Sequence, residues 1–367
     1  MNATGRVGIG VVGAGSISDQ YLQNLGSYPD VEVHFVADLD ADRARAKADQ
    51  YGVPSSGTPG QLLAHAGIEI VVNLTVPSAH FDVAVTALRA GKHVWSEKPL
   101  TLDPADAQRL LIEARSRGLR IAAAPDTFLG PGLQKAIELV REGAIGTPQT
   151  AVAMFQVPGP ESWHPNPSFL YAPGGGPLFD VGPYYLTALI QLLGPVARVG
   201  ATANTARHTR TIATGPHAGT EFPVLVPTHV AALLEFESGA TAQALFSFQS
   251  PMRRVGLLEI SGTSGTMVLP DPNGFDGDIV VIESDTETVV PTVARTGRGT
   301  GVVDLARAIR AGVRERASGS LAYHVLDIMV AIDAAAEQKT FVPVTSTVTP
   351  SQPLPEDWDP HAATLEV

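Results

Sequence analysis

Lys98 stands in Trp95-Ser96-Glu97-Lys98-Pro99, at the end of a short strand-like run and against a proline that fixes the bend. An ammonium aimed from such a position can hydrogen-bond a hydroxyl or carbonyl and favour an oxygen that gains negative charge. The same residues equally suit a solvated ion pair between Glu97 and Lys98. A different chemistry is written in Gly13-Ala14-Gly15-Ser16-Ile17-Ser18, which follows an apolar run and opens a helix. Gly13 permits a tight turn and Gly15 lets backbone approach a pyrophosphate, while Ser16 and Ile17 start the helix whose amides would face it. Ser18 takes the place of the usual third glycine or alanine, and an ordinary strand-to-helix turn is the plainer alternative. Asp38 closes the second strand, where a carboxylate can accept from an adenosine ribose, or else cap the next helix. A 2′-phosphate would meet Asp38, Asp40 and Asp42 together, and Arg43 or Arg45 would have to outweigh them, so NAD is preferred to NADP.

For these residues to serve one ligand, the strands that precede them must run parallel, because ligands of open α/β sheets lie beyond the carboxyl strand ends. The chain supplies such strands at Arg6 to Val12, Val31 to Ala37, Ile68 to Leu74, His93 to Ser96 and Arg120 to Ala123, alternating with amphipathic stretches. The alternation predicts a doubly wound parallel sheet over residues 1–125. Thr75, Pro77 and His80 then border the cofactor, and Asp126 faces the substrate from the last strand end. The clearest helix is Asp103 to Arg117, with Asp103 as cap, Pro104 at its first position and apolar Ala107, Leu110, Leu111 and Ala114.

Beyond residue 125 a helix at Leu133 to Glu142 gives way to longer alternating strands. Val230 to Glu237 should pair with Thr241 to Gln249 across Ser238-Gly239-Ala240, and Leu257 to Ile260 with Met267 to Pro270. Helices at about Val303 to Arg314 and Leu321 to Glu337 follow. This is an α+β domain over 126–348 with a largely antiparallel sheet, followed by an extended Pro- and acid-rich tail over 349–367. The long stretch Ala203 to Pro227 reads as a loop, of a length uncommon without a function or mobility.

With 367 residues, 44% of them hydrophobic and 17% charged, the chain has material for two packed domains. A net charge of -12 without a basic cluster argues against nucleic acid. The absence of cysteine removes disulfides, thiolate metal sites and a cysteine nucleophile, and the scattered histidines form no ligand pair, so no metal is expected. Val7 to Val12 runs into the glycine turn and reads as a strand, not a secretory signal, and no membrane-spanning run is found, so a cytoplasmic location is expected.

Together the glycine fingerprint, Glu97-Lys98-Pro99 and Gly174-Gly175-Gly176-Pro177-Leu178-Phe179-Asp180-Val181-Gly182 resemble the glucose-fructose oxidoreductase/inositol dehydrogenase (Gfo/Idh/MocA) family over nearly the whole chain. The resemblance implies a Rossmann domain, an α+β domain whose open sheet often mediates a homo-oligomer (dimer or tetramer), and sugars or cyclitols as substrates. It gives Lys98 the catalytic or substrate-orienting role, in the cofactor region that also holds Glu97, and places Asp180 beside the reacting carbon. The family's Asp-x-Gly-x-His pattern departs here, with Tyr184 at the histidine position.

Oxidising an alcohol needs a group that accepts its proton. Tyr184 is one candidate, since a phenol of reference pKa near ~10 can be made more acidic by an ammonium such as Lys98. His164, in Glu161-Ser162-Trp163-His164-Pro165-Asn166-Pro167, is the other and needs no large shift. Trp163 could face a sugar ring and Asn166 could bind hydroxyls, or both could merely fix the loop. The expected activity is NAD-dependent hydride transfer at a secondary hydroxyl. Its rivals are an enzyme that retains and recycles NAD between two carbohydrates, and a ligand-sensing regulator on the same scaffold.

Overall fold

The computed structural model describes residues 5–293 and 295–365. Two compact units divide them, one from the described residues of Met1–Gly130, Arg295–Tyr323 and Ser351–Val367, the other from those of Pro131–Ala294 and His324–Pro350. The chain therefore returns to the first unit twice, where the sequence suggested one boundary near residue 125 and a separate tail.

In the first unit, β1 (Val7–Val12), β2 (Val31–Ala37), β3 (Ser55–Gly57), β4 (Ile70–Asn73), β5 (His93–Ser96) and β6 (Ile121–Ala123) pair in the order β3-β2-β1-β4-β5-β6, all parallel. Helices α1 (Ile17–Leu25), α2 (Ala41–Tyr51), α3 (Pro59–Ala64), α4 (His80–Arg89) and α5 (Pro104–Ser116) alternate with them. β1 and β4 are buried throughout, as strands covered on both faces must be. α5 buries the expected Ala107, Leu110 and Ala114, and Asp103 caps it by accepting from the Ala105 amide. The sequence reading missed β3, whose Ser-Ser-Gly has no apolar pattern, and α3, which starts at a reciprocal Thr58–Gln61 capping box.

The second unit begins with α6 (Pro131–Glu142), β7 (Pro148–Gln156) and α7 (Gly176–Leu193). Strands β8 (Val196–Asn204), β9 (Thr209–Thr211), β10 (Glu221–Pro223), β11 (His229–Phe236), β12 (Thr241–Ser247), β13 (Arg254–Gly262), β14 (Thr266–Val268), β15 (Ile279–Glu283) and β16 (Thr286–Val290) follow. The chain then forms α8 (Thr300–Ala311) in the first unit, α9 (Gly319–Gln338), and β17 (Val342–Pro343) in the second. A nine-stranded sheet runs β16-β15-β14-β13-β7-β12-β11-β8-β17, with β7 and β12 parallel and every other pair antiparallel. Alternation sorts its faces: Ala232, Leu234, Ala242, Ala244 and Phe246 are buried, and α7 contacts β11 and β12. Leu233 and Phe341 are exposed, and with Val152, Met154 and Leu245 they line an apolar groove of about 780 Å³ on the open sheet. α9 is apolar and long enough to cross a membrane by composition, but most of it is buried in protein, and its Asp327 accepts from the Thr345 and Ser346 amides.

The described tail residues 351–365 belong to the first unit and form no regular secondary structure. Buried Asp30 accepts from the Thr364 and Leu365 amides, at 2.8 and 2.9 Å, and from Arg307 Nε at 2.7 Å. Arg307 in turn donates to the Asp359 and Ala362 carbonyls and stacks on Trp358.

Candidate active site

In the first unit, strand register aligns the residues that matter. Val12 pairs with Ala37 and with Asn73, Asn73 pairs with Ser96, and Ser96 with Ala123. The residues that follow each of these leave the sheet on one rim, across the point between β1 and β4 where strand order reverses.

The rim fits a dinucleotide. Gly13 has φ +103°, and a Cβ there would meet the Leu74 carbonyl carbon and oxygen at 2.7 Å, so only glycine makes this turn. Gly15 has open space where its Cβ would point, and Ser16, the N-cap of α1, makes no capping hydrogen bond with its side chain. First-turn amides at the positive end of α1, beside a bare glycine, suit a pyrophosphate. Ser18 turns inward to the Gly15 carbonyl at 2.6 Å, and Ile17 is the first helical residue.

Asp38 is engaged at both carboxylate oxygens. Its Oδ2 accepts from the Ala14 amide at 2.7 Å, and its Oδ1 from the Asp40 amide at 3.0 Å and Arg43 Nη2 at 2.6 Å. The carboxylate braces the glycine turn and keeps capacity for one more donor at Oδ2. Burial raises its pKa, but Arg43 and the two amides outweigh burial and hold it below the ordinary carboxylate value. The cap of α2 is Asp40, which accepts from the Asp42 and Arg43 amides.

His80, Glu97 and Asp126 are all three buried and turned into the unit. The His80 ring lies between the carbonyls of Pro99, 2.6 Å from Nδ1, and Thr75, 3.0 Å from Nε2, and so ties two rim loops together. Burial lowers its pKa, with those carbonyls opposing. Glu97 accepts from the Tyr21 phenol at 2.8 Å and the Lys98 amide at 3.1 Å, so a solvated surface carboxylate is not what stands there. Asp126 Oδ2 accepts from the Gly299 and Gly301 amides at 2.9 and 3.1 Å, and Arg298 lies 3.8 Å from Oδ1. Burial raises the Asp126 pKa against these partners. Asp126 caps α8, and a Cβ on Gly301 would overlap the Trp95 indole. Thr75 borders the rim, donating from Oγ1 to Asn73 Oδ1 at 2.7 Å, and Pro77 begins the next short turn. Asn73, Tyr21 and Arg298 escaped the sequence reading. A buried asparagine ending an apolar strand was a usable signal for the first, but Tyr21 and Arg298 are distant in sequence from their partners.

In the second unit, Asp180 lies one turn inside α7, whose N-cap is Gly175, so Asp180 is not the cap. Tyr184 follows four residues later and shares its face. Pro183 between them cannot donate to the Phe179 carbonyl, which loosens the helix at this point. Tyr185 points elsewhere, accepting from the Gly256 amide at 2.9 Å, and burial pushes its phenol pKa up. His164 lies close enough to Asp180 for the carboxylate charge to raise its pKa, but burial is the larger effect and leaves it below the ordinary histidine value. Its Nδ1 accepts from the Asn166 amide at 3.0 Å, so the neutral ring carries its proton on Nε2. Trp163 and Phe169 flank the ring edge-on, each with centroids 5.4 Å away. Trp163 is 62% and Phe169 43% exposed, and Asn166 is exposed beside them. No group of three or more His, Asp or Glu side chains that could hold a metal ion occurs among the described residues.

Residues 7–124 match the family described as "Oxidoreductase family, NAD-binding Rossmann fold", and residues 133–268 match "GFO/IDH/MocA C-terminal domain". A dTDP-3,4-didehydro-2,6-dideoxy-alpha-D-glucose 3-reductase of Actinomadura kijaniata is 32% identical over 66% of this chain and 68% of its own. Inositol 2-dehydrogenase 3 of Saccharopolyspora erythraea is 28% identical over 72% of this chain and 74% of its own. A solved levoglucosan dehydrogenase, in complex with NADH and L-sorbose, superposes with a TM-score of 0.81 over 93% of this chain and all of that one, at 21% identity.

Proposed function

The chain belongs to the Gfo/Idh/MocA family of NAD-binding Rossmann oxidoreductases, and from that premise we propose that it transfers hydride between NAD and a secondary hydroxyl of a sugar, glycoside or cyclitol. The observation that carries the reading is the rim of the first unit, where a bare glycine turn, the uncapped start of α1 and Lys98 leave strand ends held in register. Residues 13–17, Thr75 and Pro77 hold the dinucleotide in this reading, and Asp38 accepts from its ribose through Oδ2. A carboxylate held ionised, with Arg43 already engaged on it, favours NAD over the 2′-phosphate of NADP. The nicotinamide ring supplies the hydride acceptor.

Lys98 hydrogen-bonds the reacting oxygen and its charge favours the alkoxide. His164 has its Nδ1 occupied and its proton on Nε2, so it serves as a hydrogen-bond donor to substrate and not as the proton acceptor. That leaves Tyr184 as the acceptor, with Asp180 one turn before it as an orienting carboxylate. Trp163 offers a ring face and Asn166 an amide to carbohydrate. The names of the relatives, a deoxysugar reductase and an inositol dehydrogenase, support this substrate class. The apolar groove on the open sheet supports a homo-oligomer formed through that face, and we place the protein in the cytoplasm. The test is the absorbance of NADH on mixing the protein with NAD and a panel of sugars, glycosides and cyclitols, with cofactor exchange followed in parallel. Bound NADH with no turnover on any member would replace the enzyme by a sensor.

A further inference from the structure

Arg210, on β9, is a buried charge in the second unit to which the reaction assigns no work. It is 5% exposed, and its guanidinium is met on several sides. Nη1 donates to Glu161 Oε1 at 2.5 Å and to the Pro158 carbonyl at 2.8 Å, and Nη2 donates to the Phe248 carbonyl at 2.7 Å. The group lies 5.5 Å from the centre of the Tyr171 ring, and the Tyr171 phenol donates to the other Glu161 oxygen.

Most of these partners belong to the loop that carries Trp163 and His164. The Pro160 carbonyl, one residue before Glu161, accepts both the Trp163 and His164 amides, at 3.1 and 2.8 Å. The β9–β10 segment closes over the same loop. The Ala213 amide donates to the Glu161 carbonyl at 3.0 Å, and the Leu225 amide to the Tyr171 carbonyl at 2.8 Å. Gly159 has φ +141°, and a Cβ there would stand 2.6 Å from the Tyr171 phenol oxygen, so the loop admits no side chain at that point. The long stretch that the sequence marked as a loop is thus a brace.

A buried ion pair is a poor source of net stability, because desolvation offsets its attraction, but its geometry selects one arrangement. Here the arrangement holds two aromatic rings in water on either side of His164, where a slack loop would fold them away. We infer that Arg210 is a positioning residue: through Glu161 it fixes the 158–171 loop so that His164 keeps its Nε2–H tautomer and Trp163 stays presented to ligand. The inference rests on the reading that this loop touches the carbohydrate.

The test uses the full chain with Trp358→Phe, which leaves Trp163 as the one exposed tryptophan, Trp95 being buried. Arg210→Met with Glu161→Gln removes the charges together and keeps an acceptor for Tyr171, avoiding a lone buried ion. The expected result is acrylamide quenching of Trp163 lowered about twofold, a mixed His164 tautomer in ring 15N spectra, and KM for the best carbohydrate raised about tenfold. The dissociation constant for NADH should stay within about twofold. Should the pair of changes prevent folding, Tyr171→Phe keeps the ion pair, removes one donor to Glu161, and is read the same way with smaller shifts. Unchanged quenching and tautomer would overturn the inference, and so would a loosened loop with unchanged KM. A parent protein that turns over no carbohydrate defeats the functional reading alone, while the quenching and tautomer signals still decide what Arg210 holds.

Discussion

Lowering the pH from 7 to 5 should destabilise this protein through two histidines that the fold keeps neutral. His93 Nδ1 accepts the Arg120 amide at 3.0 Å, and His324 Nε2 accepts the Val196 amide at 3.1 Å. A proton added at either nitrogen would face a donor. Burial is the main cause that lowers both to about 4, assisted at His93 by the charge of Arg120 and opposed at His324 by Asp327 and Glu237. Since the folded values lie below the unfolded value of about 6.5, the unfolded chain binds more protons between them. The stabilising contribution is therefore complete above about pH 6.5 and is lost as pH falls toward 4. Integrating from pH 7 to 5 gives about 2 kcal/mol for each site. His93→Asn and His324→Gln each keep an acceptor near the same amide but cannot titrate. Urea unfolding at pH 7, 6 and 5 should show each variant losing about 2 kcal/mol less than its parent. The difference between variant and parent cancels every titration they share. Parallel losses in all proteins would refute the argument that these rings stay neutral because their acceptor nitrogens are buried.

Lys98→Ala should reduce turnover at least about a hundredfold while leaving NADH affinity, followed by fluorescence, nearly intact; unaltered turnover removes Lys98 from the chemistry. Tyr184→Phe should abolish the alkaline-rising limb of the kcat profile, whereas His164→Ala should raise KM and keep that limb, and the reverse pattern would restore the imidazole as base. Asp30→Ala strands Arg307 and should cost about 3 to 5 kcal/mol while exposing the tail to limited proteolysis. Burial raises the Asp30 pKa, but Thr364, Leu365 and Arg307 outweigh burial and hold it low, so the tail's anchorage should persist at neutral pH and fail only as pH falls below the carboxylate range.

The parallel sheet and its rim were legible in sequence because they depend on short-range chemistry. Short apolar runs carrying β-branched residues, repeated between amphipathic stretches, favour strands, and a glycine turn that follows the first of them and opens a helix is the context of a dinucleotide site. Asp103 and Pro104 announced α5 by the same local logic. The rim residues that faced inward could not be read this way. Whether Glu97 meets solvent or Tyr21, and whether Asp126 meets substrate or the amides of Gly299 and Gly301, depends on partners 76 and more than 170 positions away. Likewise the segment after β8 has the composition of a loose loop. Only folding brings Arg210 back to Glu161, 49 residues earlier, and turns that segment into a support. Local pattern fixes where the chain turns and which backbone amides are left over, but a charged side chain takes its role from whichever buried partner tertiary packing brings to it.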